Sequence, residues 1–236
     1  MKKVILTIMS MVLSVAFALN VCAAEMEHPT NSLEEYSVSI NMEDLDINDK
    51  VTFEEAVSLK ASHENISYEE ARKKLLVEED RILTELAQAQ KLRLRSNKSI
   101  EQLKAELNAQ NVIEYYSYEK TFSYPKRTSF KAQLQASIVL VDDYSNHKFI
   151  DRVDWIYTRR VAGEYTYDWI ESAVSSNIAA GKKSVRLAAD GYFTSSKDVS
   201  GGGSFSLPGF SVDSSVGTTV TLMSETVHVA YDYTVY

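Results

Sequence analysis

FKAQLQASIVLVDD, residues 130–143, places Phe130, Ala132, Leu134, Ala136, Ile138 and Leu140 at every second position, with Lys131, Gln133, Gln135 and Ser137 between them. A period of two sends successive side chains to opposite faces. The run is therefore a strand with one apolar face and a second face that is wet at its start. The same pattern recurs on both sides. HKFIDRVDWIYTRRV (147–161) sets Phe149, Val153, Trp155, Tyr157 and Val161 on one side. EYTYDWIESAV (164–174), KSVRLAADGYF (183–193) and ETVHVAYDYTVY (225–236) add three strands. IEYYSYEKTFSY (113–124) and two runs between Gly203 and Met223 complete the set. Tyr-Pro-Lys, Asp-Asp-Tyr-Ser-Asn and Ala-Ala-Gly-Lys supply turns between them. About eight short antiparallel strands in about 125 residues predict a β-sandwich or small barrel.

Upstream, the composition changes. All eight glycines lie at or after Gly163, and twelve of the fourteen tyrosines and both tryptophans follow residue 114. Leu, Glu, Ala and Lys dominate residues 51–110, which marks a boundary near Asn111 and a helical first half. From Ser67 to about Leu94, Tyr68, Ala71, Leu75, Ile82, Leu86 and Ala89 fall near one helical face, with Leu76 and Leu83 flanking. Ser99 can cap a further helix carrying Ile100, Leu103 and Leu107, and Thr52 to about Ser62 makes a shorter first one. The fold class is thus α+β, with two to three helices ahead of the strands. The chain divides into 1–24, a flexible acidic leader at 25–50, a helical segment at 51–111 and a β domain at 112–236. Within the leader, YSVSINM alternates weakly and suits a short edge strand. Whether the helices lie on a sheet or stand apart is open at this level.

DLDINDKVTFEE (44–55) resembles the calcium loop of an EF-hand. Asp44, Asp46 and Asn48 would be the first three ligands, Lys50 a backbone carbonyl, Thr52 the ninth position and Glu55 the bidentate twelfth. Two features oppose it. Asp49 stands where the turn wants glycine, and SVSINM is a poor entering helix. The chain also holds a control, since VTFEEA (51–56) recurs as ISYEEA (66–71) without upstream carboxylates. In both copies Thr or Ser is an N-cap, Glu55 or Glu70 closes a capping box, and the acids suit the positive helix end. Capping accounts for Thr52 and Glu55, leaving Asp44, Asp46 and Asn48 as the residual case for calcium. No cofactor is expected.

The chain opens MKKVILTIMSMVLSVAFALNVCAAE, with Lys2 and Lys3, an apolar run and small residues before Glu25. This is the pattern of a secretory signal peptide cut after Ala24, and no basic stop-transfer cluster makes it a membrane anchor. We expect a secreted protein with no transmembrane segment once the signal is removed. Cys22, the only cysteine, resembles a lipobox cysteine with Leu19 at −3, which gives a lipid-anchored alternative, but Val21 fits poorly before it. Cleavage after Ala24 leaves no cysteine to form a disulfide, so a packed core must stabilise the chain. The net charge moves from −8 to −10 on loss of the two signal lysines. Residues 25–114 carry 20 acids and 11 bases, a net of −9, while residues 115–236 are near neutral. An acidic exported chain excludes nucleic acid as the default partner. The lysine-led signal and the helix-then-sheet layout resemble small secreted proteins of Gram-positive bacteria.

No nucleophile elbow or Walker loop occurs, and His28, His63, His147 and His228 are scattered. Asp151 and Asp154 lie three apart on one strand and would face opposite sides, so they would not flank a bond. No enzyme is expected; a hydrolase whose site is not visible in sequence is one alternative. Aromatic residues offer a binding surface. Tyr165, Tyr167 and Trp169 share one face of a strand. Core packing is their first expected role, but if Ile170 and Val174 face the core instead, the row becomes a platform for a cell-wall glycan or a surface protein. The Ser-, Gly-, Thr- and Val-rich run from Thr194 to Thr221 resembles the insertion hairpins of β-pore-forming toxins in composition, interrupted at Pro208 and Gly209. The expected function is therefore a secreted, non-enzymatic binding or cell-envelope interaction protein, with a membrane-active protein as a second alternative.

Overall fold

The computed structural model describes residues 37–44 (as backbone), 50–143, 147–162, 166–200 and 204–235. Residues 1–24, read above as an expected signal, and Asp46, Asn48 and Tyr165 lie outside the described residues. Two strands, β1 (Ser37–Asp44) and β2 (Lys50–Val51), precede three helices, α1 (Phe53–Glu64), α2 (Tyr68–Leu94) and α3 (Ile100–Ala109). Then follow β3 (Ile113–Tyr124), β4 (Arg127–Asp142), β5 (Lys148–Arg160), β6 (Asp168–Ile178), β7 (Ser184–Asp198), β8 (Phe210–Val216), β9 (Thr219–Ser224) and β10 (Val227–Thr234). The fold is α+β.

The helices start where the sequence places caps. Thr52 Oγ1 accepts from Glu55 N at 3.2 Å, and the Glu55 carboxylate accepts from Thr52 N at 2.7 Å, a closed capping box. Those bonds hold the Glu55 carboxyl below its ordinary range. Ser99 and Gln102 close a second box at α3. The echo at Ser67 is only half made. Ser67 Oγ accepts from Glu70 N, but the Glu70 carboxylate lies 3.6 Å from Lys74 instead. Left-handed Asn65 and Arg95 end α1 and α2.

The strands form two open sheets. One runs β2-β3-β4-β5; the other runs β1-β10-β7-β9-β8, with β6 also paired to β7. Every pairing is antiparallel except the parallel addition of β1 to the edge at β10. The weakly alternating YSVSINM segment thus supplies an edge strand, and Glu35–Tyr236 fold as one unit.

The alternation of β4 determines the layering. Phe130, Ala132, Leu134, Ala136, Ile138 and Leu140 all enter a cluster shared with β3, β6, β7 and β10, so the two sheets bury facing sides against each other. On the opposite face, Val139 and Val141 pack with Ala56, Val57, Ala71, Leu75 and Ile82, which settles that α1 and α2 lie on the four-stranded sheet. Leu83 and Ala87 turn instead toward Leu103 and Leu107 of α3. The stripe on α2 therefore runs through Ala87, while Tyr68 and Leu76 remain substantially exposed.

Among the irregularities that break the period of two, three β-bulges bear on the site. In β5, Asp151 and Asp154 are each an extra residue without a partner in β4. The bulge at Asp154 sends Val153 to the inter-sheet core, away from the face of Phe149, Trp155 and Tyr157 that strict alternation predicts for it. In β6, Ser172 is the extra residue. Trp169 and Val174, five apart, consequently face the same core while Ile170 is exposed.

Candidate functional site

The bulges of β5 bring together residues that alternation separates. The Arg152 guanidinium donates from Nε to Asp154 Oδ1 at 2.7 Å and from Nη1 to Asp151 Oδ2 at 3.0 Å. Arg81 of α2 donates to the same Asp151 oxygen at 2.8 Å and to Glu78 and Glu85 at 3.0 Å each. Asp151 and Asp154 therefore act on one side of the strand, contrary to the prediction of opposite faces, because each is carried by its own bulge. Both carboxylates are more than nine-tenths buried and neutralised by Arg152, which makes the cluster a brace between α2 and β5.

Beside this brace lies a cleft of about 610 Å³ between α1, α2 and β5. Val77 forms an apolar wall, Glu70 and Glu78 supply acceptors, Lys60, Lys73, Lys74 and Arg152 are the cations, and Val153 and Asp154 complete the lining. Lys60 and Lys74 both pair with Glu64, at 2.7 and 2.8 Å. Lys73 has no hydrogen bond or ion pair among the described residues, and Arg152 Nη2 has no hydrogen-bond partner. Outside the lining of the cleft, His63 lies three residues beyond Lys60 on the same side of α1. His63 stacks on Trp155 at 5.2 Å and on Tyr157 at 5.0 Å. Trp155 is buried in this stack, whereas His63 and Tyr157 keep open surface. From there a polar row continues across the sheet. Tyr157 donates to Gln135, Gln135 donates to Glu119 and Gln133, and Gln133 accepts from Arg159.

A second titratable group lies on the far side of α2. The Tyr115 hydroxyl donates to Glu79 Oε1 at 3.0 Å, and burial pushes the Glu79 carboxyl above its ordinary value. A carboxyl raised in the fold binds its proton more tightly there than in the unfolded chain. Its favourable contribution is complete at low pH and is lost as pH rises through the raised value. Glu79→Gln keeps the acceptor and removes the charge. It should melt at a higher temperature than the parent at pH 7.5, with the gap closing near pH 4 in parallel thermal melts.

The residues singled out by sequence have other roles. Tyr167 is 1% exposed, stacks on Phe130 at 4.4 Å, accepts from Lys131 N at 3.0 Å and donates to Val161 O at 2.8 Å. Trp169 lies between Phe122 and Phe193 and donates to Thr158 Oγ1 at 2.6 Å. Both therefore sit in the inter-sheet core and not in an exposed row, and the bulge at Ser172 lets Val174 face that core as well. Of the calcium-loop candidates, Asp44 ends β1, Lys50 pairs with Tyr116 as part of β2 and bonds Glu114 at 2.9 Å, and Thr52 and Glu55 are committed to the cap. Among the described residues no group of three or more His, Cys, Asp or Glu is placed to hold a metal ion. None of their helices is long and apolar enough to cross a membrane. His228 faces outward on β10 and bonds Asp190 across the strands.

Sequence reasoning passed over Lys60, His63, Lys73, Trp155 and Tyr157 as a group. The Lys60/His63 spacing was the one local signal. Its meaning depends on the sheet beneath α1, which only the fold supplies. No protein-family model, curated protein or solved structure matches the chain.

Proposed function

We propose that the protein is an exported, non-enzymatic binding module of the cell envelope, built as a two-sheet sandwich with a helical layer, and that it holds a saccharide in the cleft beside β5. The observation that carries this reading is the aromatic group His63, Trp155 and Tyr157, which follows Lys60 on α1 and Asp154 on β5, beside a cleft furnished with both donors and acceptors. Sugars present apolar ring faces and a rim of hydroxyls. An aromatic surface beside fixed polar groups complements both, and such convergence in a concave site is what small-ligand sites require. An extended peptide is a poorer fit to this edge. Two bulges interrupt β5, and Glu171 already accepts from Thr158 N at 2.5 Å, so the strand offers no continuous ladder for an added strand.

Titration of the purified chain with soluble cell-wall oligosaccharides, read by calorimetry, tests the reading. Binding should be saturable and should weaken about tenfold or more in Tyr157→Ala, the loss expected when a stacking ring is removed. Absence of binding across neutral and acidic oligosaccharides overturns it.

A further inference from the structure

We infer that the cleft selects an acidic saccharide, with Lys73 and Arg152 receiving a carboxylate on a sugar whose ring lies toward His63 and Tyr157; this rests on the saccharide reading above. Four cationic side chains line the cleft in a chain of net charge −8. Lys60 and Lys74 are spent on Glu64, and Lys74 also on Glu70. Lys73 is not spent, and its neighbours on α2 do not reach it with a carboxylate. Arg152 has two of its nitrogens fixed by Asp154 and Asp151, while Nη2 is left without a partner.

The two cases differ in origin. Lys73 is a mobile point charge at the rim that can close on an arriving anion. Arg152 is a guanidinium held in one orientation by two buried carboxylates, and its spare N–H group is itself buried, so a ligand reaches it only where the side chains covering it move aside. A buried guanidinium N–H without an acceptor is unfavourable, and an acceptor from a ligand would relieve it. A carboxylate satisfies both donors, whereas a sugar hydroxyl answers one and leaves the lysine charge uncompensated. Glu70 and Glu78, both on α2, are the acceptors available to the hydroxyls of the ring that bears the acid. These carboxylates also oppose a ligand with dense negative charge, which favours one isolated acid per sugar over a phosphate polymer.

Calorimetric titration with a uronic-acid tetrasaccharide and with the neutral tetrasaccharide of the same linkage decides the matter. At low salt the acidic ligand should bind about three- to fivefold more tightly, the scale of one partly exposed ion pair. The preference should fade at about 0.5 M salt, where exposed charges are screened. In Lys73→Gln, whose side chain has no other role in the fold, affinity for the acidic ligand should fall to that of the neutral one. Equal affinity of the parent for both ligands overturns the inference and leaves saccharide binding standing. Failure of both to bind overturns the two together. A preference that survives Lys73→Gln and high salt overturns the assignment of the anion to this cleft.

Discussion

Gly191→Ala should prevent stable folding, whereas Gly181→Ala should leave the melting temperature unchanged. Gly191 lies in β7 opposite Glu171, and the indole of Trp169 passes directly over it. A Cβ built there would stand 2.5 Å from Ile170 O and 2.6 Å from Trp169 Cη2, with Trp169 Cζ2 closer still. Real contacts of this kind do not occur, so something must move. The indole has no free direction, because Phe122 and Phe193 hold it at 5.2 and 4.9 Å and its Nε1 is bonded to Thr158. The Ile170 oxygen belongs to the ladder of β6 and β7 and moves only with the strand. Overpacking in a core costs about 1–3 kcal/mol where side chains can adjust, and more where backbone must shift. For a domain of marginal stability that approaches the whole reserve. At Gly181 nothing lies within 4 Å of the added carbon, which makes it the control. Circular dichroism melts of the two variants check the result. A folded Gly191→Ala chain melting within a few degrees of the parent would contradict this account of the core.

Arg152→Ala should cost about 3–5 kcal/mol, the scale for removing one member of a buried ion pair. The substitution leaves the Asp151 and Asp154 carboxylates, 7% and 8% exposed, facing each other without the guanidinium that joins them. Asp151 keeps Arg81, but Asp154 has no other basic partner among the described residues. The cost therefore reflects an uncompensated charge more than the worth of the pair. Replacing the trio together, Asp151→Asn, Arg152→Met and Asp154→Asn, should recover much of the loss, because no buried charge is then stranded. Urea unfolding of the parent, the single and the triple variant measures this. Equal destabilisation of single and triple would show that the brace contributes attraction beyond cancelling its own desolvation.

The helices and the central strand were legible because their signals are local. A capping box needs four consecutive residues, and Thr52 with Glu55 makes it as the spacing implies. Ser67 with Glu70 shows where locality fails, since the same motif loses its second bond to Lys74, a residue on the next turn. In β4 the apolar alternation survives from Phe130 to Leu140 because neither neighbour forces an extra residue into it. Gln135 and Ser137, polar in that pattern, are nevertheless buried, Gln135 by the network it makes with Tyr157 and Glu119.

By itself the sequence determined the α+β class, the starts of the helices, the strand that divides the layers and the absence of any local catalytic motif. Each follows from residues within one or two turns or one strand of each other, where propensity and period act directly. Only the tertiary structure decided which way Val153, Trp169 and the two aspartates face. A bulge costs one residue of register and leaves no composition signal, yet it inverts every side chain beyond it. The two bulges of β5 turned Val153 to the inter-sheet core and joined Asp151 and Asp154 through Arg152, and the bulge at Ser172 let Val174 share the core of Trp169. The cleft exists because strands far apart in the chain fix those insertions, a constraint that no stretch of sequence carries alone.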